Sequence, residues 1–425
     1  MDTPGQQVNT TGSEVKYRLF LINEAQGLLT RLKQLQPFET SMPMVTAAAI
    51  PYVAQKGIHE LIVKGKKMIG DRVQVFINSL KNTDNIRFEK CQAAYSVLKL
   101  QFNSLLDQFD IFADVVSQRS EHATGVWIAG LDVFAKDALN VNGGIQDAPP
   151  LICYLDRGHG AAIRRARTRL PGGDENPVAV IKIPRERMVA SGIGSSLVHE
   201  VGHQGSALLD LIPSLKPVLE GLARSDAQHG KSWKLLSRWI SEILSDMWAV
   251  SFLGISATTG LMSVVSLPKY FVFRAIDDDP HPFPWIRVKI SLGFGKILYP
   301  EDQWHRLEVL WETMYPKSNL KRAQLDIINN LEETIPLFAK LVTEHKPVKL
   351  NGKALREIFP LQQRQPEHLR TYYRQWKNNY KIMANQRPSL VFAVIGQARA
   401  DNVITTFSEN RVLSRMLQHW ALVNI

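Results

Sequence analysis

The stretch Val198-His199-Glu200-Val201-Gly202-His203-Gln204 carries the spacing His-Glu-x-x-His. On a helix, His199 and His203 stand four residues apart on one face, so both imidazoles can reach one metal ion while Glu200 points to its open side. That combination suits metal-assisted hydrolysis, in which an ion acidifies water and a carboxylate moves its proton. A catalytic ion of this kind commonly takes three protein ligands and keeps a position open. The three-histidine extension of the motif fails, because Ser206 stands where glycine is needed and Leu209 where the third histidine is needed. Glu242 is the better candidate, and His229, in a polar loop between the two, is the alternative.

The run Glu242-Ile243-Leu244-Ser245-Asp246 supplies a second pattern, Glu-x-x-x-Asp. Together the two patterns resemble the gluzincin metallopeptidases, the thermolysin-like group, in which a downstream helix provides the third ligand. The resemblance covers a small part of the chain, and the linker between the motifs is longer than in thermolysin itself. It implies a Zn2+ ion held by His199, His203 and Glu242, with Asp246 as the outer partner of a zinc histidine. It further implies Glu200 as the general base of peptide-bond hydrolysis. Some gluzincins carry His-Pro and a later Arg after the third ligand, and His281-Pro282 with Arg287 looks similar. His281 is then the candidate donor to the carbonyl oxygen and Arg287 a further catalytic residue, with Tyr270 and Tyr299 as lesser alternatives. In zincin folds generally, an edge strand before the active-site helix lines the cleft and pairs with extended substrate. The run from Val178 to Ile183, with Val180 and Ile181 at its centre, lies in that place.

The elements that must position these residues are mostly helical. Leu21, Ala25, Leu28, Leu32 and Leu35 repeat at helical spacing until Pro37, and Ile62, Ile69, Val73, Phe76 and Leu80 mark a second helix. A third runs from Phe88 to Val116 in alternating steps of three and four, and the polar Asn82-Thr83-Asp84-Asn85 turns the chain back into an antiparallel hairpin. This hairpin is a structural bundle or an arm for a protein partner. A further amphipathic segment spans Val126 to Leu139, before a loop at Asn140-Val141-Asn142-Gly143-Gly144. Two β-prone runs follow, Pro150 to Leu155 and Val178 to Ile183. Between them the arginines from Arg164 to Arg169, Arg167 among them, form a solvated hairpin loop or a positive rim for an acidic or carboxylate-ended substrate; Arg185 and Arg187 lie just beyond. The run from Trp233 to Trp248 reads as one strong helix, residues 277–284 as a rigid acidic turn, and the chain beyond Tyr299 as helices. The expected class is therefore α+β, predominantly helical: a mobile tail at 1–13, an N-terminal helical hairpin or bundle at 14–140, a zincin-like catalytic domain with a small sheet at 141–300, and a C-terminal helical region at 301–425.

Composition narrows the function classes. The 425 residues carry a net charge of +11, spread along the chain without a dense basic tail, so a nucleic-acid partner is not expected. Two cysteines, Cys91 and Cys153, exclude a disulfide scaffold and a cysteine-rich zinc module. The N-terminus shows no signal or transit peptide, and the expected compartment is the cytoplasm. The longest uncharged run, Met247 to Pro268, is long enough for one membrane span but is diluted by Gly254, Ser256, Thr258, Thr259, Gly260 and Ser263, so burial inside the protein is expected. The expected function is zinc-dependent hydrolysis of a peptide or protein substrate. The alternatives are a non-catalytic zinc-stabilised scaffold acting through the N-terminal helices, and a membrane-associated protease.

Overall fold

Apolar residues recurring every three or four positions make helices dominate, and three short strands form one mixed sheet, so the class is α+β, predominantly helical. The structure, a computed structural model, describes residues 10–82, 87–158, 160–184, 190–274 and 279–423. The chain divides into two compact units.

The first unit comprises Met1–Met44, Ile50–Ser120 and Arg167–Val178. Three helices, α1 (Thr10–Gln34), α2 (Tyr52–Asn82) and α3 (Phe88–Ser117), share an apolar core in which Leu28, Val73 and Phe102 are fully buried or nearly so. Of the expected tail at 1–13, the part from Thr10 onward is helical in α1, and residues 1–9 lie outside the described residues. Asn82 ends α2, and the rest of the expected turn, 83–85, also lies outside them. The segment 167–178 is fastened to this unit by the Lys64–Asp174 ion pair at 2.8 Å and by a hydrogen bond from the Gln108 amide to the Pro171 carbonyl.

The second unit comprises Val45–Ala49, Glu121–Ala166 and Ala179–Ile425. The helix α4 (His122–Leu139) groups here because Leu131, Phe134 and Ala138 are fully buried in this unit's core. Its Asp132 carboxylate accepts a hydrogen bond from the Cys153 backbone N–H at 2.7 Å, which ties α4 to strand β1 (Leu151–Asp156). The sheet order is β1-β3-β2, with β3 (Ala179–Pro184) parallel to β1 and antiparallel to β2 (Ala162–Arg164). The expectation of an edge strand at Val178 to Ile183 is thus overturned. Val180 lies opposite Ile152 on one side and Arg164 on the other, and Ile181 opposite Cys153 and Ile163, so the backbone of β3 is already paired. The edges belong to β1 and β2, and β2 was too short, at three residues, to give a strand signal.

After β3 come α5 (Ser191–Leu208), α6 (Leu211–Ser225), α7 (Gly230–Arg238), α8 (Ile240–Leu253) and α9 (Ile255–Val265). The single helix expected from Trp233 to Trp248 is two, α7 and α8, interrupted at Trp239. Backbone hydrogen bonds continue through it, from Trp239 N–H to Leu235 and from Ile243 N–H to Trp239, while its buried indole N–H is drawn to the Asp279 carbonyl at 3.2 Å. The uncharged run from Met247 to Pro268 is divided at Gly254, whose φ of 59° suits glycine and separates α8 from α9. No helix among the described residues is long and apolar enough to cross a membrane.

The contact that fixes the site is α5 against α8. Gly202 of α5 faces α8 so closely that a Cβ there would stand 2.8 Å from both Ser245 Cα and Trp248 Cβ. Trp248 is fully buried and donates its indole N–H to the Ala138 carbonyl of α4 at 2.9 Å, so it has nowhere to retreat. From the far end of the chain, the buried Glu409 on α15 (Thr406–Val423) accepts a hydrogen bond from the Ser191 backbone N–H at the start of α5, at 3.2 Å. Between α9 and α15 lie α10 (Pro284–Leu298), α11 (Gln303–Met314), α12 (Arg322–Glu344), α13 (Pro366–Trp376) and α14 (Pro388–Ala400).

The Gly202 contact makes a checkable statement. Gly202→Val overpacks the α5–α8 seam and is expected to cost about 1–3 kcal/mol in chemical denaturation. It should also lower bound metal, because it separates the two motif helices. Wild-type stability together with wild-type metal content would show that the seam does not set the site.

Candidate metal centre

The two motif helices bring three potential ligands together. His199 and His203 of α5 and Glu242 of α8 each offer one ligand atom, and these atoms lie within 4.8 Å of one another. His199 Nε2 is 3.4 Å from Glu242 Oε2, and His203 Nε2 is 3.3 Å from Glu242 Oε1. The opposite ring nitrogens are held from behind. His199 Nδ1 donates to Asp246 Oδ1 at 2.8 Å, and His203 Nδ1 faces Ser241 Oγ at 3.3 Å. His199 is thus held at Nδ1 by a carboxylate and His203 by a hydroxyl, and the Nε2 atoms of both rings face Glu242.

Around this cluster the charges are unequal. The carboxylates of Glu200, Glu242 and Asp246 are met by one guanidinium, that of Arg287 on α10. Arg287 donates from Nε to Asp246 Oδ2 at 2.7 Å and from Nη2 to Asp246 Oδ1 at 3.0 Å and Glu242 Oε2 at 3.3 Å. Burial opposes ionisation of Glu242 and Asp246, yet hydrogen bonds from His199 and His203 and the charges of His199 and Arg287 hold the Glu242 carboxyl below the usual range, and the charges and hydrogen bonds of Arg287 and His199 do the same for Asp246. Burial pushes the Glu200 carboxyl up, with only partial relief from His199 and His203. For His199, burial acts to lower the pKa, but the Asp246 charge and the hydrogen bonds to Asp246 and Glu242 outweigh it and raise it to about 10. The donor set and the surplus of negative charge fit a divalent cation between the three ligands, which would take the place of that proton.

His281 reaches the same cavity from the segment before α10. Its Nδ1 donates to Asp279 Oδ1 at 2.9 Å, and its Nε2 lies 3.7 Å from Glu242 Oε2. Asp279 also accepts the His281 backbone N–H, at 2.9 Å, so a single carboxylate orients the residue twice. Asp277 and Asp278 of the acidic turn, like Arg185 and Arg187, lie outside the described residues.

The cavity has a volume of about 410 Å³. The motif residues line it together with Ala162 and Ile163 of β2, Arg165, Ser195, and Leu261 and Val264 of α9. The remaining sequence candidates divide clearly. Val180 and Ile181 are buried in the central strand and are not among its lining residues. Arg167 belongs to the first unit and does not line it; within the arginine run that position goes to Arg165. The alternative third ligand His229 pairs instead with Asp226 and Glu333, each at 3.3 Å. Tyr299 is fully buried and donates to the Ser251 carbonyl, and Tyr270 is exposed. Arg165 was expected only as a member of the arginine run; sequence reasoning missed Ser241, Asp279 and Gln204, whose side-chain oxygen accepts the Ala166 N–H at 2.9 Å and so holds the chain just after β2. Only Asp279 had a usable signal, its place two residues before His281 in an acidic turn.

Asp246→Asn keeps the shape of the residue that orients His199 but removes its charge, and is expected to weaken metal binding by about 10- to 100-fold. Glu242→Ala, which removes a ligand, should weaken it further. Competition with a chromophoric chelator measures both, and unchanged affinity in Glu242→Ala would remove that residue from the ligand set.

No protein family, curated protein or solved structure matches the chain.

Proposed function

We propose that this chain is a zinc-dependent metallopeptidase of the gluzincin type, hydrolysing peptide bonds with Glu200 as general base. The observation that carries the reading is the convergence of both sequence motifs on one point. His199, His203 and Glu242 form a three-donor cluster, and Glu200, one residue along the same helix, lines the same cavity. Two histidines and a carboxylate are a characteristic ligand set for catalytic zinc, and a site serving stability alone has no need of a fourth, acid–base group beside it.

When bound, zinc supplies Lewis acidity, polarising a carbonyl oxygen and acidifying water. The residues of the chain do the rest. Glu200, buried and raised in pKa by that burial, accepts the proton of the attacking water and returns it to the departing amine. His281, held at Nδ1 by Asp279, has its Nε2 on the cavity side, and in its imidazolium form that nitrogen can donate toward the oxygen on which charge develops. Arg287, expected from the sequence as a further catalytic residue, acts as a positioning group. Its guanidinium is engaged by Asp246 and Glu242, so it keeps the ligand carboxylate and the histidine's partner ionised and in place.

A peptide rather than a small substrate is favoured by β2. This edge strand contributes Ala162 and Ile163 to the cavity wall, and its side away from β3 is free of any strand among the described residues. An extended chain can add to such an edge through backbone hydrogen bonds while presenting one peptide bond to the ligand cluster.

Glu200→Gln is expected to retain one zinc ion per chain and to lose about 10²- to 10⁴-fold in hydrolysis of a peptide library. Mass spectrometry of the digest and metal analysis of the same sample read both quantities. Full cleavage by the variant would end the proposed mechanism, and no cleavage by the zinc-loaded wild type would end the assignment.

A further inference from the structure

The wall of the cavity does not stop at its mouth. On α9, Leu261 and Val264 line the cavity, and Val264 is also exposed to solvent. The chain then leaves α9 and enters the short helical turn Lys269–Val272, and along the way Leu267, Tyr270 and Phe271 are exposed as well. Tyr270 is 69% and Phe271 46% accessible, and their rings meet edge to face at 5.3 Å. Single exposed apolar residues are ordinary, but a contiguous apolar group beside a site is a recurring mark of binding.

The strip is held firmly. Val265 and Val272, the residues interleaved with the exposed ones, are buried, and the Lys269 ammonium donates to the Ser318 carbonyl at 2.8 Å. The Arg274 guanidinium lies 5.8 Å from the centre of the Tyr270 ring. Two aromatic rings therefore face solvent on a fixed backbone, so little conformational entropy remains to be lost on binding.

We propose that Val264, Leu267, Tyr270 and Phe271 form a binding strip for an apolar segment of the substrate polypeptide, several residues away from the bond that is cut. This rests on the peptidase reading above and names the substrate class it selects: unfolded or extended chains carrying apolar side chains beside the cleavage point. The argument for this occupant is continuity. The inner end of the strip, Val264, is itself cavity wall beside Leu261, and the exposed Leu267, Tyr270 and Phe271 follow it closely in the chain. The nearby cations Lys269 and Arg274 add a preference for acidic residues flanking the apolar segment. A bilayer surface could also receive exposed aromatics beside cations, but it could not follow the strip inward to the cavity wall.

The test uses the full-length zinc-loaded chain carrying Glu200→Gln, so that binding is read without turnover. Two fluorescent peptides share a central sequence and differ at both ends, one extended by Leu-Phe-Leu and the other by Ser-Gly-Ser. Fluorescence anisotropy is expected to show the apolar-flanked peptide bound about tenfold more tightly, a difference of about 1.4 kcal/mol. Adding Tyr270→Ser and Phe271→Ser should abolish most of that advantage, with zinc content and thermal unfolding as the check that the chain still folds. Leu267→Ser serves as the milder second variant. Equal binding of the two peptides, or a preference that survives both variants, overturns the proposal. So does loss of binding to phosphatidylserine vesicles with the peptide preference intact, which would make the strip a membrane contact. Cleavage by the chain with intact Glu200 is scored separately, so failure of the peptidase reading is distinguishable from failure of the strip.

Discussion

The site depends on how closely two helices can approach. Glu242 and Asp246 are one turn apart on α8, and His199 and His203 one turn apart on α5, but the pairs meet only because Gly202 lets the α5 backbone lie against Ser245 and Trp248. With a side chain at that position, the imidazoles would be pushed away from the carboxylate that completes the set. The seam is braced from several directions, by the Trp248 indole on the Ala138 carbonyl, by the Ser195 hydroxyl on the Ala257 carbonyl at 2.9 Å, and by Glu409 at the first turn of α5. These contacts lie in the buried core of the unit, where packing is dense and position is transmitted faithfully.

The second constraint is electrostatic. Burying several carboxylates together is costly unless each is paired. The structure answers with Arg287, which grips Asp246 through two nitrogens and touches Glu242 with one of them, and with imidazoles whose outer nitrogens are committed to Asp246 and Ser241. What is left facing inward is electron-rich: two Nε2 atoms and the Glu242 carboxylate. The polar machinery is thus built from the outside in, with each ligand held by a neighbouring side chain. His281 repeats the arrangement on a smaller scale, held by Asp279 through side chain and backbone alike.

How much of this was legible in the sequence follows from the length scale of each signal. The helical periods of α1 to α3 and the two motifs are local patterns, and they led to the bundle, to His199, His203 and Glu242, and to Asp246 as the partner of one of the two histidines, which is His199. The edge strand was misplaced because β2 has three residues with a charged member, and nothing in so short a run distinguishes a strand from a loop. The interruption at Trp239 was invisible because backbone hydrogen bonding persists through it and tertiary packing of one indole decides it. Arg167 was favoured over Arg165 because nothing local distinguishes them: β2 ends at Arg164, and the chain then turns, with Arg167 at a φ of 61°, so that Arg165 lines the cavity and Arg167 belongs to the first unit. Ser241 and Gln204 were missed since their roles exist only once two distant segments meet.

The measurement that bears most directly on this account is X-ray absorption spectroscopy at the zinc edge on the zinc-loaded protein. The account predicts a first shell of nitrogen and oxygen alone at about 2.0–2.2 Å, with the outer-shell scattering of two imidazoles. Loss of one imidazole signature in His203→Ala would assign it to that residue. A sulfur shell at about 2.3 Å, which only a thiolate from Cys91 or Cys153 could provide, or the absence of imidazole scattering, would contradict it.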